Sequence, residues 1–111
     1  MLVILFRSKL TDSAAADGYP EMAEEMETLA RGMPGFVDIK AFKADDGERL
    51  TIVWWRDDET LKGWREQIRH RVAQRLGREK WYEYYKIEVA QIVRQNTFDR
   101  PVSAARVPAD L

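Results

Sequence analysis

Apolar residues on both faces of the predicted strands constrain the fold of this chain more than any other feature. The segment Leu50–Arg56, LTIVWWR, puts an indole on each face, because Trp54 and Trp55 are adjacent and successive strand side chains alternate. The segments Leu2–Lys9, LVILFRSK, and Glu83–Arg94, EYYKIEVAQIVR, also have apolar side chains on both sides. An antiparallel sheet with one face in water would alternate apolar and polar residues. Both faces of this sheet therefore need cover.

A helix and a further strand are predicted between the segments Leu2–Lys9 and Leu50–Arg56. The helix follows Asp17, which can cap it, and carries Met22, Met26 and Leu29 at helical spacing. The segment Phe36–Lys43, FVDIKAFK, alternates with a two-residue period and predicts a strand. The sequence DDG that follows is typical of a hairpin turn.

A second helical region precedes the last strand. Asp57 or Asp58 can cap its start, and Trp64 lies on its apolar side. A break near Gln67–Arg69 is expected, followed by a kink or a new helix over about His70–Arg78, and Gly77 can either end this segment or lie inside it. The order β-α-β-β-α-β predicts a ferredoxin-like α+β fold, in which helices cover one face of a four-stranded antiparallel sheet. Residues 1–95 are assigned to this domain, and residues 96–111 to an extended tail available for contact with a partner subunit.

The uncovered face of the sheet favours a homodimer. Burial of one tryptophan or phenylalanine side chain is worth roughly 2–3 kcal/mol, so a bare apolar face would be costly in water. Two copies of the sheet packed face to face would form a dimeric α+β barrel. A monomer with unusually apolar strands is the alternative at this stage.

Charge and composition exclude several classes of function. Lysine and arginine total 18 and aspartate and glutamate 19, so the net charge of −1 gives no field to attract a nucleic acid or an anionic membrane. The chain has no cysteine and one histidine, which excludes disulfides, thiolate chemistry and a multi-histidine metal site within one chain. The apolar run at the N terminus is too short for a signal peptide or a membrane span, so we expect a soluble, cytoplasmic protein.

Three stretches resemble the antibiotic biosynthesis monooxygenase family: MPGFVDIKAF, LTIVWWRDDETLKGWRE and HRVAQRLGREKWYEYYKIEVAQIVR. The resemblance spans roughly Leu2 to Val93 and includes a turn of sequence PGF before the second strand. It implies a dimeric ferredoxin-like α+β barrel. It also implies a cofactor-independent oxygenase that oxidises a flat phenolic, quinol or polyketide-like substrate with O₂. A small-molecule-binding dimer without catalytic activity on the same fold is the alternative.

Haem-degrading members of the family imply a different site, which this sequence matches less well. Trp64 fits the tryptophan of that branch. Gln74 stands where the resemblance implies a histidine ligand, and Arg7 stands where it implies an asparagine. A glutamine is a poor replacement for imidazole on iron. Haem degradation is therefore the less favoured reading, and we expect neither a metal nor another cofactor.

His70 is the candidate catalytic base, because an imidazole with a pKa near 6.5 can take a proton from a phenol at neutral pH. Trp64 and Arg7 are the other candidate catalytic residues: a helix break could bring Trp64 beside His70, and Arg7 could stabilise an enolate or carboxylate. The structural alternatives are a hydrogen bond at a helix start for His70 and a surface ion pair for Arg7.

A set of aromatic side chains could line a flat apolar pocket and bind the substrate, with simple packing as the alternative. The set consists of Phe6, Trp54, Trp55, Trp81, Tyr82 and Tyr85. The second helical region also carries five arginines, which are interpreted as a solvated surface. They are Arg65, Arg69, Arg71, Arg75 and Arg78.

Overall fold

The structure is a computed structural model that describes residues 1–101. Its elements follow the predicted order, with the second helical region divided in two. The strands are β1 (Leu2–Leu10), β2 (Phe36–Lys43), β3 (Arg49–Trp55) and β4 (Tyr82–Gln91). The helices are α1 (Tyr19–Arg31), α2 (Asp58–Arg65) and α3 (Ile68–Leu76), and a π-helical turn (Gly77–Trp81) connects α3 to β4.

The four strands form one antiparallel sheet in the order β2-β3-β1-β4. Leu2 of β1 pairs with Trp55 of β3 on one side and with Gln91 of β4 on the other. This arrangement confirms the ferredoxin-like α+β fold. The strand predicted over Glu83–Arg94 begins one residue earlier and ends three residues earlier. Of the predicted tail, residues 102–111 lie outside the described part of the chain.

One face of the sheet packs against the helices and holds the core. Leu2 and Trp55 are buried there, together with Ala30 of α1 and Leu61 of α2. Trp55 has no exposed surface, and its indole packs edge-on against Phe36, with ring centroids 5.9 Å apart. Burial of this indole therefore joins the sheet to α2.

The opposite face of the sheet is also apolar, as the alternation predicted. Val3 pairs with Trp54 and Leu5 with Ile52, and all four side chains point away from the core side. Phe42, next to this row in β2, keeps 47% of its surface exposed. No helix of the described residues packs on this face. The homodimer inferred from it stays a prediction.

The turn between α1 and β2 depends on Gly35. Its φ is +90°, a region that favours glycine, and a Cβ there would lie 2.6 Å from Nε1 of Trp55. The same Cβ would lie closer still to the hydroxyl of Thr60, which accepts a hydrogen bond of 3.1 Å from that indole N–H. Position 35 must therefore lack a side chain, so that the buried indole of Trp55 can donate its hydrogen bond to Thr60.

The starts of α1 and α2 are capped in different ways. Asp57, one of the two predicted caps, starts α2, because its Oδ1 accepts the backbone N–H of Thr60 at 2.9 Å. Hydrogen bonds from the backbone and the side chain of Thr60, and then from Arg56, lower the pKa of Asp57 to about 2. The cap predicted at Asp17 is wrong. Gly18 precedes α1 with φ +94° and no side-chain cap, and the carbonyl of Asp17 instead accepts the indole N–H of Trp81 at 3.0 Å.

Candidate active site

A cavity of about 460 Å³ lies between the helices and the core side of the sheet. This volume falls within the roughly 300–1,000 Å³ of typical small-molecule sites. Ile4 and Phe6 of β1 and Val53 of β3 form part of its floor, while Met22 and Met26 of α1 form part of its roof. Most of the wall is apolar, so the cavity suits a ligand with a hydrophobic body.

The break between α2 and α3 brings the only histidine to this cavity. Gln67 leaves the helical conformation, and its side-chain oxygen accepts the backbone N–H of His70 at 2.8 Å, which starts α3. In one continuous helix, positions 64 and 70 would not share a stripe. The break lets Trp64 and His70 line the same cavity, with their rings stacked at a centroid distance of 4.1 Å. The predicted break near Gln67–Arg69 is confirmed.

The hydrogen bond of the imidazole determines which of its nitrogens can act as a base. Nδ1 of His70 lies 3.0 Å from the carbonyl oxygen of Trp64. A carbonyl can only accept, so Nδ1 carries the hydrogen, and in the neutral ring Nε2 keeps its lone pair. Burial lowers the pKa of His70 below 6.5, and the bond to Trp64 opposes this shift only in part. At neutral pH the imidazole is therefore uncharged and can accept a proton.

Aromatic side chains form the end of the cavity next to β4. Phe6 contacts Tyr82 and Tyr85 at centroid distances of 5.5 and 5.6 Å. Burial, reinforced by the neighbouring Tyr19, raises the pKa of Tyr82 well above its usual value. Its hydroxyl group therefore stays protonated at physiological pH and can donate a hydrogen bond.

The ring of Tyr82 rests against the backbone of the π-helical turn. A Cβ at Gly77 would lie 2.6 Å from Cε2 of Tyr82, and Gly77 itself is buried. The helix predicted over His70–Arg78 ends earlier, at Leu76, and the wider turn continues from Gly77.

The structure brings together six of the nine residues named as site candidates. Trp64, His70, Phe6, Trp81, Tyr82 and Tyr85 line the cavity. The other three are placed elsewhere. Trp55 lies in the core behind Trp64, at a centroid distance of 6.2 Å, and Trp54 points to the helix-free face.

Arg7 lies on the helix-free face as well, away from His70. Its guanidinium forms an ion pair of 3.0 Å with Glu48. Glu48 also accepts the hydroxyl hydrogen of Tyr84, and hydrogen bonds from Tyr84 and then Arg7 lower its pKa. Arg7 is therefore engaged in the ion pair considered as its alternative role.

Most residues of the cavity wall were not among the site candidates, and three polar ones, Tyr19, Arg49 and Gln74, could contact a ligand. Tyr19 begins α1, and the guanidinium carbon of Arg49 lies 5.9 Å from the centroid of its ring. Gln74 lies one helical turn after His70. That i, i+4 spacing was a usable signal for Gln74. Arg49 had no comparable signal, because an arginine next to a hairpin turn is usually solvated.

Neither a cluster of metal ligands nor a membrane-spanning helix occurs in the described part of the chain. Within residues 1–101, no three His, Cys, Asp or Glu side chains are grouped so that they could hold a metal ion. No helix of this part of the chain has the length and apolarity needed to cross a membrane.

The fold and the cavity define a small ferredoxin-like domain with a largely apolar cavity between its helices and its sheet. A family model described as "Antibiotic biosynthesis monooxygenase" matches residues 1–76, more than half of the chain. The chain belongs to this family, which confirms the resemblance found in the sequence. Family membership supports a monooxygenase-type role.

Two curated relatives match in sequence. The chain is 37% identical over 81 residues to the uncharacterized protein YqjZ of Bacillus subtilis, which covers 73% of this chain and 71% of that protein. It is 29% identical over 105 residues to the jasmonate monooxygenase ABM of Pyricularia oryzae, covering 90% of this chain. The match spans 48% of the length of that second relative.

Solved structures share the fold at low sequence identity. Rv0793 from Mycobacterium tuberculosis superimposes with a TM-score of 0.75 at 14% identity, covering 86% of this chain and 98% of that one. SnoaB, a cofactor-independent oxygenase from Streptomyces nogalater, gives a TM-score of 0.70 at 14% identity, with coverages of 86% and 94%. These similarities concern the fold alone.

Proposed function

We propose that this protein is a monooxygenase-type enzyme that oxidises a flat aromatic phenol, quinol or polyketide-like molecule with O₂, using His70 as the base. The observation that carries the proposal is the neutral imidazole of His70, stacked on Trp64 in the wall of an apolar cavity. Family membership and the similarity to SnoaB, a cofactor-independent oxygenase, support the same reaction class.

The reaction begins with proton transfer to Nε2 of His70. Loss of a proton from a phenol, or from the CH₂ of an anthrone, leaves an electron-rich phenolate or carbanion. For the anthrone, the carbanion forms a C–O bond to O₂, and the resulting peroxide loses water to leave a carbonyl, so CH₂ and O₂ become C=O and H₂O. For a quinol, two electrons and two protons pass to O₂, which gives the quinone and H₂O₂. The substrate itself supplies the electrons, so the proposed route requires no flavin or metal.

Other cavity residues have roles that follow from their positions. Phe6, Trp64 and Tyr85 provide flat apolar walls that exclude water and strengthen electrostatic interactions inside the cavity. Tyr82 can donate a hydrogen bond to a substrate oxygen. Arg49 is the cation nearest the Tyr19 ring and can offset the negative charge that develops when the substrate loses its proton.

We propose that the working form is a homodimer. The helix-free face, with Leu5, Ile52 and Trp54, would be covered by the same face of a second copy. Val93 and Phe98 are 92% and 77% exposed, and both follow the last strand in a segment without regular secondary structure. This segment is available for contact with the partner subunit, as proposed for the tail.

A binding protein without catalytic activity is the second candidate. One observation favours it, because the hydrogen bonds that His70 makes to Gln67 and to the carbonyl of Trp64 are those of a residue that starts a helix. The haem-degrading alternative is a third reading, and Gln74 stands in the cavity wall where that branch implies a histidine ligand. A spectrum of the protein mixed with haem, without a shifted Soret band, would remove it.

Oxygen uptake with a panel of anthrones and hydroquinones tests the proposal. His70→Ala should lower the rate by about 10²- to 10⁴-fold, which is the usual contribution of a general base. Arg75→Ala is the matched control, since Arg75 is an exposed α3 residue outside the cavity wall, and its rate should equal that of the wild type. Substrate binding without oxygen uptake by the wild type would favour the binding protein. Equal rates for His70→Ala and the wild type would remove His70 from the mechanism.

A further inference from the structure

A basic groove of about 550 Å³ opens on the surface of α2 and α3. Its lining has four cationic side chains and one carboxylate. The groove is lined by Lys62, Arg65, Glu66, Arg71, Gln74 and Arg78. This local excess of positive charge contrasts with the net charge of −1 of the chain. The interpretation of these arginines as a simple solvated surface does not account for it.

Most of this positive charge is not neutralised by the chain itself. Among the described residues 1–101, Lys62 and Arg71 form no ion pair with a carboxylate. Arg65 has only a long contact of 3.7 Å with Asp58. Arg69, outside the groove on the same helix, is by contrast paired with Glu25 at 2.7 Å. The groove therefore has the capacity to bind an anion.

The basic groove adjoins the apolar cavity. Arg65 and Gln74 line both spaces. Nη1 of Arg78 in the groove donates a hydrogen bond of 3.4 Å to the hydroxyl oxygen of Tyr85 in the cavity wall. The boundary between the two spaces is therefore formed by a few side chains, and a ligand that spans it would pass beside Arg65 and Gln74.

The geometry of α3 explains why the basic groove and the apolar cavity adjoin. His70 and Gln74 are four residues apart and share a stripe that faces the cavity. Arg71 and Gln74 are three residues apart and share a neighbouring stripe that faces the groove. Gln74 belongs to both stripes and stands at the junction. A ligand held at Arg71 would thus place its adjoining atoms next to His70.

We propose that the substrate is amphipathic, with its ring system in the cavity and an oxyanion, either a carboxylate or a phosphate, in the basic groove. Arginine suits this role because its guanidinium group can donate two parallel hydrogen bonds to an oxyanion. Lys62 and Arg71 bind the charged end, and this anchor selects which atom of the ring system faces Nε2 of His70. The inference rests on the proposed function, because the cavity must accept the ring system.

Calorimetric titration with three probes tests this inference. The probes are 2-naphthaleneacetate, 2-naphthyl phosphate and methyl 2-naphthaleneacetate, which share a ring system and differ in charge. At least one anionic probe should bind the wild type about tenfold or more tightly than the ester, as expected for hydrogen bonds to a charged group. The double variant Lys62→Gln/Arg71→Gln should lose this preference and keep the affinity for the ester. Arg75→Gln, a charge change on α3 outside the groove, should leave the preference intact.

The outcomes distinguish failure of the oxyanion anchor from failure of the proposed aromatic substrate. Equal affinity of the wild type for the ester and both anions overturns the oxyanion anchor and leaves the cavity as a ligand site. An equal loss of preference in Arg75→Gln and the double variant overturns it too, because the effect would then come from overall charge. Failure of all three probes to bind overturns the anchor and also counts against the aromatic substrate of the proposed function. Tighter binding of the carboxylate or of the phosphate supports the anchor and identifies the oxyanion.

Discussion

The imidazole of His70 lies nearly parallel to the indole of Trp64, with 4.1 Å between the ring centroids and 15° between the planes. The same imidazole bonds through Nδ1 to the backbone carbonyl of Trp64 at 3.0 Å. One residue thus fixes both the plane and the tautomer of the imidazole. Because this geometry is set within the chain, the proposed base is oriented without any contribution from a ligand.

The pH dependence of activity should report the ionisation of His70. Its pKa lies below 6.5 because of burial, so kcat/KM should fall only when the pH drops below that value. The measurement is a pH profile of oxygen uptake on the substrate that the panel identifies. Added imidazole should partly restore the rate of His70→Ala. A wild-type rate that does not fall at any pH below 6.5 at which the protein stays folded would argue against a histidine base.

The stability of the fold should also depend on His70 in acid. In the unfolded chain a histidine binds its proton near pH 6.5. In the folded state the pKa of His70 is lower, so the imidazole binds its proton only at a lower pH. The unfolded state therefore binds more protons between these two values, and the free energy of unfolding rises with pH across them. This contribution is complete above pH 6.5 and is lost as the pH falls through the folded pKa.

Urea unfolding at pH 5 and pH 7.5 measures this effect. The wild type should lose more stability between the two values than His70→Gln, which keeps the carboxylates of the chain and lacks the imidazole. The difference between the proteins isolates the histidine. If both proteins lose the same amount, the imidazole is not buried in the way described.

Gly35 and Gly18 form a matched pair for testing the turn before β2. Both have positive φ, at +90° and +94°, so replacement by alanine strains both backbones by about 1–2 kcal/mol. Only at Gly35 does the new Cβ meet other atoms, those of Trp55 and Thr60, because nothing lies within 4 Å of a Cβ at Gly18. Gly35→Ala should therefore lower the free energy of unfolding distinctly more than Gly18→Ala. Equal losses in urea unfolding would show that the close approach to Trp55 is unimportant.

The helix-free face of the sheet predicts the oligomeric state. Light scattering at micromolar concentration should give twice the 13.0 kDa of one chain. Ile52→Lys puts a charge into the proposed interface and should shift the protein to monomers. Ala16→Lys, in the exposed loop before α1, is the control and should remain dimeric. A stable, unaggregated wild-type monomer would contradict the dimer.

The sequence predicted the features that depend on neighbouring residues. The opposite orientations of Trp54 and Trp55 follow from strand alternation alone, and the cap at Asp57 follows from its place before an apolar helical pattern. The break near Gln67 was expected, because positions 64 and 70 would not lie on the same face of one continuous helix. Local patterns therefore predicted the two faces of the sheet, the start of α2 and the break between α2 and α3.

The remaining features depend on long-range contacts that a local pattern does not contain. Arg7 was a site candidate, yet its partner Glu48 lies 41 residues away, across a strand pair whose register the sequence does not specify. Asp17 had the chemistry of a cap, but the start of α1 needed the positive φ of Gly18. The basic groove depends on the angle between α2 and α3, which is set by packing.

The contact between Gly77 and Tyr82 has a consequence for substrate choice. Because the phenol ring rests on bare backbone, any side chain at position 77 would push it inward and shrink the room available to a guest molecule. The room in this part of the cavity thus depends on Gly77, a residue that contributes no atoms beyond the main chain. Replacement of Gly77 by a residue with a side chain should therefore narrow the range of molecules that fit the cavity.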